Sequence, residues 1–159
     1  MISGFSPIIA KHPKVLIVGS MPSVTSLEKQ EYYGFKQNRF WKIMGAYFKC
    51  EFTSYEEKKQ CILDHHLILW DVIKCCEREG SLDSAIINEV CNDMESLIKQ
   101  HPDIKYVLCN GKKSYTLFMK HFKHLDVKVF CMPSTSNANR SISEKALFQQ
   151  WFEVLNACF

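Results

Sequence analysis

The stretch "KVLIVGSMPS", Lys14 to Ser23, decides the fold class of this chain. Its apolar run Val15–Val18 predicts a strand that is buried on both faces, and Gly19 ends that strand in a tight turn. A turn in this position usually faces a ligand. The residues after Gly19 match neither the glycine fingerprint of dinucleotide sites nor that of phosphate-cradling loops. The sequence therefore predicts a binding site for a ligand of another kind.

Three further apolar runs predict strands of the same type: Leu67–Trp70, Tyr106–Cys109 and Val127–Cys131. Helical segments separate these runs, and the alternation predicts an α/β fold with a parallel sheet. Two capping boxes, Ser54–Glu57 and Ser141–Glu144, are expected to start helices, because their serine and glutamate side chains satisfy free backbone N–H groups.

The composition favours one soluble domain spanning residues 1–159. The chain has 159 residues, of which 47% are hydrophobic, and this is enough for one sizeable core. The net charge of +3 permits a polyanionic partner without requiring one. No signal peptide and no apolar stretch of membrane-spanning length is recognisable, so we expect a cytoplasmic monomer without a membrane partner.

The eight cysteines form no C-x-x-C pair and lie mostly in apolar runs, which is typical of buried free thiols. A metal site built from Cys61, His65, Cys75 and Cys76 is the alternative. Cys61 and His65 would share one helix face, but the adjacent Cys75 and Cys76 match no familiar ligand spacing. We therefore expect neither a metal nor a cofactor.

Polar residues follow each predicted strand: Gly19–Ser20, Asp71, Asn110–Lys112 and Ser134–Asn139. In a parallel sheet the carboxyl ends of the strands meet at one edge, where ligands usually bind. These residues are therefore expected to form one site. Asp71 has two interpretations, since its carboxylate could assist in activating water or could cap a following helix.

The segment "YYGFKQNRFWKIM", Tyr32 to Met44, connects the first turn to the next helix. Asn38 is predicted to be the N-cap of that helix, and Phe40 and Trp41 its buried face. These roles are structural. The position of the segment beside the Gly19 turn favours a functional role as well.

Five motifs of the chain, "GSMPS", "QNRFW", "LWDV", "LCNGKKSY" and "MPSTSNAN", together resemble the uracil-DNA glycosylase superfamily in their order and spacing. The resemblance is closest to the deoxyinosine, or hypoxanthine-DNA, glycosylase branch and extends from about Lys14 to Leu155. It implies a three-layer α/β/α sandwich with a four-stranded parallel sheet. It also implies a DNA-repair enzyme that flips a deaminated base, most simply hypoxanthine, out of DNA and hydrolyses its N-glycosidic bond.

The resemblance assigns the catalytic role to Asn38, because Ser20 and Met21 stand where other branches carry a water-activating Asp or Asn. A neutral amide can hold a water in place beneath the sugar. The turn residues Gly19, Ser20, Met21 and Pro22 then form a wall of the base pocket. Their backbone N–H groups would stabilise the negative charge of the departing base.

Three further residues are implied in the base pocket. Phe40 is expected to stack on the flipped base, Tyr33 to close the opposite wall with Tyr32, and Asn110 to read the base edge. Phe40 could equally be an ordinary core residue, and Asn110 an ordinary turn residue.

The DNA-binding residues implied by the resemblance are Arg39, Lys112, Ser134, Thr135, Ser136, Asn139 and Arg140. Small hydroxyl side chains allow the backbone of DNA to approach closely, and the cations suit its phosphates. The chain departs from the branch at Ser23 and Asn137, which replace glycine and proline. Asn137 is expected to make its loop more flexible than proline would.

Other functions are compatible with parts of this pattern. A glycosylase specific for uracil or for mismatches would use the same motifs. A non-catalytic binder of nucleotides or nucleic acid would share the fold and the edge. A thiol hydrolase using Cys109 is disfavoured, because none of the strand-end motifs contains a histidine to act as its base.

Overall fold

The computed structural model describes residues 1–159. The strands are β1 (Ile2–Ser3), β2 (Ile8–Ile9), β3 (Val15–Gly19), β4 (Leu67–Asp71), β5 (Ile73–Glu77), β6 (Ile87–Cys91), β7 (Tyr106–Asn110) and β8 (Lys128–Met132). The helices are α1 (Val24–Lys29), α2 (Phe40–Phe48), α3 (Tyr55–Asp64), α4 (Met94–Gln100), α5 (Lys112–Phe122) and α6 (Glu144–Cys158), with a 3₁₀ turn at Asp83–Ala85.

The α/β class and the four predicted parallel strands are confirmed, and each strand ends one residue later than predicted. The prediction of four strands missed one strand of this sheet. Strand β2 pairs with β4 as an antiparallel edge strand, and the order is β2-β4-β3-β7-β8. A second, three-stranded antiparallel sheet has the order β1-β5-β6.

Strand β3 lies at the centre of the molecule and packs on both sides. Val15 and Ile17 contact a core formed with α2, α3 and α6, whereas Leu16 and Val18 contact a second core formed with α4 and α5. All four side chains are fully buried. The apolar run thus produces the three layers, because alternate side chains of a strand point to opposite faces.

One predicted capping serine is confirmed and the other is wrong. Ser54 accepts the N–H of Glu57 at its hydroxyl, as predicted for the start of α3. Helix α6 is capped by Ser143 and not by Ser141. The Ser141 hydroxyl instead donates to Asn139 in the preceding loop, and this bond holds Ser141 outside the helix.

The start of α2 also differs from the prediction by one residue. Arg39 occupies the N-cap position and makes no side-chain capping bond. Asn38, one residue earlier, still accepts the N–H of Phe40 at 2.9 Å through its side-chain oxygen. It therefore supports the first turn of the helix from outside. No helix combines the length and apolarity needed to cross a membrane.

The strand register places the site residues side by side. Gly19 lies opposite Asp71 across β3 and β4, and Asn110 lies opposite Met132 across β7 and β8. Since these four strands are parallel neighbours, their carboxyl ends form one edge of the sheet.

Candidate active site

A cavity of about 1070 Å³ opens at this edge. The predicted residues that line it are Gly19, Ser20, Met21, Pro22, Tyr33, Asn38, Asn110, Lys112, Ser134, Thr135, Ser136 and Asn139. Phe40, Arg39 and Arg140 do not line it. The sheet edge therefore brings most of the predicted residues together from four separate segments of the chain.

Asn38 is held by two hydrogen bonds to its carbonyl oxygen. The Phe40 N–H and the Thr135 hydroxyl both donate to Oδ1, each at 2.9 Å. The Nδ2 amino group donates to no protein acceptor. The amide is therefore fixed in orientation while its amino group stays available to a ligand in the cavity.

Asn110 is the centre of the same network. Its Oδ1 accepts the N–H of Thr135 at 3.0 Å, and its Nδ2 donates to the Thr135 hydroxyl at 2.9 Å and to the Tyr33 hydroxyl at 3.2 Å. Both amide hydrogens are thus engaged within the protein. Base reading by Asn110 stays a prediction, and it would require one of these bonds to be exchanged for a bond to the base.

The expected stacking of Phe40 on a base is wrong for this structure. Phe40 has no exposed surface, and the ring of Tyr33 stacks on it with a centroid distance of 4.2 Å. Contacts with Trp41 and Trp151 hold Phe40 in the core, since it starts the buried face of α2. Tyr33, which covers Phe40, lines the cavity instead.

Tyr33 has a φ of +53°, which is rare for an aromatic residue and is typically found at functional sites. Phe35 also lines the cavity, although sequence reasoning did not single it out. Its place two residues after Tyr33, in a segment already assigned to the site, is the signal that could have indicated it. Tyr32 also lines the cavity, but it is almost fully buried and its hydroxyl donates to the Ser6 carbonyl.

The Gly19 turn requires glycine for steric reasons. A Cβ atom at Gly19 would lie 2.3 Å from Oδ1 of Asp71 and 2.7 Å from the Tyr33 hydroxyl oxygen. The backbone N–H groups of Ser20 and Met21 donate to no other backbone group, which fits the predicted role of this turn. The Ser20 hydroxyl donates to Asp83 at 2.6 Å. Asp83 belongs to the 3₁₀ turn, where no sequence motif indicated a contribution to the site.

Asp71 is a buried carboxyl in the cavity wall, with 4% of its surface exposed. Burial, followed by the negative charge of Asp83, raises the pKa of Asp71 to about 7 against the opposing charge of Arg78. The interpretation of Asp71 as a helix cap is wrong, because strand β5 and not a helix begins two residues later, at Ile73.

Arg39 supports the loop that follows β8. Its guanidinium donates to the carbonyls of Thr135 at 3.3 Å and Ser136 at 2.7 Å. The cation is directed at the loop backbone through two of its nitrogens, and the contact between Arg39 and DNA phosphates stays a prediction. Asn139 adds a further internal bond by donating to the Ser134 carbonyl at 3.1 Å. These bonds tie the loop on both sides of Asn137, the position without the family's proline.

Two predicted phosphate-binding cations remain exposed. Lys112 begins α5 at the edge of the cavity, and Arg140 lies outside the cavity at the end of the loop. Neither forms an ion pair, whereas the neighbouring Lys113 pairs with Glu89 at 3.8 Å. Contacts of Lys112 and Arg140 with DNA stay predictions.

The cysteines and the histidine of the alternative metal site do not form a metal-binding cluster. Cys61 Sγ lies 3.8 Å from His65 Nδ1, as their spacing on a helix predicts, but no group of three or more metal-ligating side chains occurs. All eight thiols are free. Burial raises the pKa of the Cys109 thiol to about 12, which opposes formation of a nucleophilic thiolate.

Residues 6–156 match the family model described as the uracil DNA glycosylase superfamily. The chain belongs to this superfamily. Two curated relatives of this chain are each named hypoxanthine DNA glycosylase. The protein of Methanosarcina acetivorans is 35% identical, with 89% of this chain and 90% of the relative covered. The protein of Methanosarcina barkeri is 34% identical, with 95% and 96% covered.

A solved structure extends the similarity to the whole fold. The solution NMR structure of a candidate uracil DNA glycosylase from Methanosarcina acetivorans superposes with a TM-score of 0.86 and is 32% identical. The match covers 98% of this chain and 97% of that one. The similarity therefore extends over the segments that form both sheets of this chain.

Proposed function

We propose that this protein is a DNA glycosylase that removes hypoxanthine from DNA by hydrolysing its N-glycosidic bond. The observation that carries the proposal is the fixed amide of Asn38, which lines the same cavity as the Gly19 turn at the carboxyl edge of the sheet. The names of the two curated relatives support hypoxanthine as the base.

The reaction breaks the bond between C1′ of the sugar and a ring nitrogen of the base, and the electron pair of that bond goes to the base. Water adds to C1′, and its released proton neutralises the base. The sugar is cation-like in the transition state, so water needs positioning more than deprotonation. Asn38 supplies the positioning group. The free N–H groups of Ser20 and Met21 supply donors for the charge that develops on the base.

A base reaches this cavity only after leaving the duplex. The ring of Tyr33 offers a stacking surface that offsets part of the cost of unstacking. The loop Ser134–Asn139 presents small side chains at the cavity rim, and Lys112 adds a cation beside it. This rim suits the phosphates next to a flipped nucleotide.

The proposal is tested by incubating the protein with duplexes that contain a single deoxyinosine, a single deoxyuridine or only normal bases. EDTA is present throughout, since we expect no metal requirement. Alkali then cleaves the DNA at abasic sites. We expect cleavage of the deoxyinosine strand in a single-turnover reaction and none of the normal duplex.

Three results would contradict the proposal in different ways. Cleavage of the deoxyuridine strand alone would indicate a uracil-specific glycosylase. Binding of the deoxyinosine duplex without abasic sites would indicate a non-catalytic nucleic-acid binder. Loss of activity in EDTA with recovery on adding zinc would indicate a metal-dependent reaction.

A further inference from the structure

Asp71 is the one buried carboxyl in the cavity wall whose side chain the fold leaves without a partner. Its Oδ2 atom is buried and has no hydrogen bond. A buried polar atom in this condition costs free energy unless something binds to it. By contrast, Asn38 and Asn110 have their carbonyl oxygens engaged within the protein. Asp71 is therefore a cavity-wall side chain whose hydrogen-bonding capacity the protein itself leaves unused.

The surroundings of Asp71 place its carboxyl at the base pocket. The residue lies opposite Gly19 in the strand register, and the missing side chain of Gly19 leaves the space that Oδ1 and the Tyr33 hydroxyl occupy. The carboxyl thus sits beside the turn with the free N–H groups and beside the aromatic ring at the cavity wall.

The charged and titratable groups around Asp71 favour its uncharged form. Asp83, bonded to the Ser20 hydroxyl, adds a negative charge to the effect of burial. Burial and then the charge of Asp71 raise the pKa values of Tyr32 and Tyr33, so these two hydroxyls stay uncharged beside it. The cation of Arg78 favours the ionised form of Asp71 but donates to the carbonyls of Pro22 and Gly80 and forms no bond to Asp71. Burial together with these charges raises the pKa of Asp71 to about 7.

We propose that the carboxyl of Asp71, in its protonated form, donates its O–H to the ring carbonyl oxygen of the flipped base and accepts the adjacent ring N–H. This inference rests on the proposed function, because it requires a base with a carbonyl beside an N–H, an edge that hypoxanthine and uracil share. A carboxylic acid has one O–H donor for the carbonyl oxygen of this edge and one carbonyl acceptor for its N–H.

The same contact assists the reaction. Negative charge develops on the base as its bond to the sugar breaks, and the carbonyl oxygen carries part of that charge. A neutral O–H donor binds this oxygen more strongly in the transition state than in the ground state. An ionised carboxylate offers only acceptors and would repel the departing base. Asp71 is therefore inferred to read the base and to stabilise its departure.

The experiment measures single-turnover excision of hypoxanthine between pH 5.5 and 9 for the wild type and for Asp71→Asn. The amide keeps the donor and the acceptor but cannot ionise. We expect the wild-type rate to fall by about tenfold per pH unit above about pH 7, and the variant to show no such decline. The variant should exceed the wild type at pH 8, where the ring N–H of hypoxanthine is still in place.

Asp83→Asn is the matched control, since it removes the neighbouring charge while keeping an acceptor for Ser20. The declining part of the wild-type profile should move to lower pH, because Asp71 then ionises more easily. Thermal unfolding checks the fold. Folding raises the pKa of Asp71, so the wild type loses stability as pH rises through about 7, and Asp71→Asn should lose less.

Binding of free hypoxanthine, measured by calorimetry, gives a readout that does not depend on catalysis. Its affinity should weaken above about pH 7 for the wild type and stay constant for Asp71→Asn. This pH dependence in a protein that excises no base would contradict the proposed function and support the role of Asp71. A folded but inactive Asp71→Asn, a wild-type rate that rises through pH 7, or identical profiles for the two proteins would overturn the role of Asp71.

Discussion

The two walls of the cavity are built in different ways. On one wall, Asn38, Thr135 and Asn110 form a chain of neutral hydrogen bonds in which nearly every donor and acceptor is used. On the other wall, Asp71 is buried, unpartnered and influenced by charges on Asp83 and Arg78.

The difference suggests a division of roles. A saturated neutral network holds its members in place and does not respond to pH near neutrality, which suits the positioning of a water. An unsatisfied ionisable group is poorly suited to holding a scaffold but is open to a substrate and sensitive to pH. Changes on the first wall should therefore lower activity at every pH, and changes on the second should alter the pH profile.

The largest effect is expected from Asn38→Ala. We predict that single-turnover excision falls by a factor on the order of 10²–10⁴, with little loss of DNA affinity, because a positioned group is removed. The decline above about pH 7 should remain where it is in the wild type. Full activity of this variant, or a displaced decline, would break the distinction between the walls.

Asn38→Asp sharpens the same test. A carboxylate keeps an oxygen for the Phe40 N–H and the Thr135 hydroxyl, so the start of α2 and the network should persist. The variant replaces the amino group with a second, negatively charged oxygen. Retained activity would show that an acceptor in this place can hold the water, and lost activity in a folded protein would show that the N–H donor of Asn38 is required.

A smaller effect is expected from Gly19→Ala, which affects both walls at once. The added methyl group would overlap Oδ1 of Asp71 and the hydroxyl of Tyr33, to which Asn110 donates. We predict a loss of about 1–3 kcal/mol in the free energy of unfolding, the usual cost of overpacking, with impaired excision. Chemical denaturation provides the measurement.

Gly4→Ala is the control for this substitution. The nearest atoms to a Cβ at Gly4 are 3.4 Å away or more, which is ordinary contact, so its stability should stay close to that of the wild type. Equal stability of Gly19→Ala and Gly4→Ala would show that the walls adapt without cost.

The smallest effects are expected from Lys112→Ala and Arg140→Ala, which lie outside both walls. Each should weaken DNA binding about equally for damaged and normal duplexes and reduce the slope of log affinity against log salt by about 1. Lys105→Ala, at the opposite end of β7, should leave the slope unchanged. Equal slopes for all three variants would place the DNA elsewhere.

Much of the fold could be predicted from the sequence because its central strands are runs of apolar residues long enough to be distinctive. The run at Val15–Val18 and its three counterparts were located to within one residue at the functional edge. The edge strand Ile8–Ile9 could not be predicted, since two residues carry no periodicity. Ser141 and Ser143 were indistinguishable as caps until the bond from Ser141 to Asn139 was known.

The site was predictable in its location but less so in its roles. The sequence of neighbouring aromatic residues does not indicate which ring will line a cavity. Here Tyr33, which has a positive φ, stacks on Phe40. The role of Asp71 depends on charges at Asp83 and Arg78, which other segments bring near it. Such long-range environments have no local sequence signal.

The hydrogen bond between Asn38 and Thr135 joins residues 97 positions apart, and the bond between Tyr33 and Asn110 spans 77. Bringing such distant segments together is slow, because the entropy of closing long loops is lost before the contacts form. The wall that contains Asn38 can be completed only after β8 and the loop behind it have been synthesised and have docked. A growing chain on the ribosome therefore holds Asn38 early but acquires the partner that orients it late, so an incomplete chain would lack an organised Asn38.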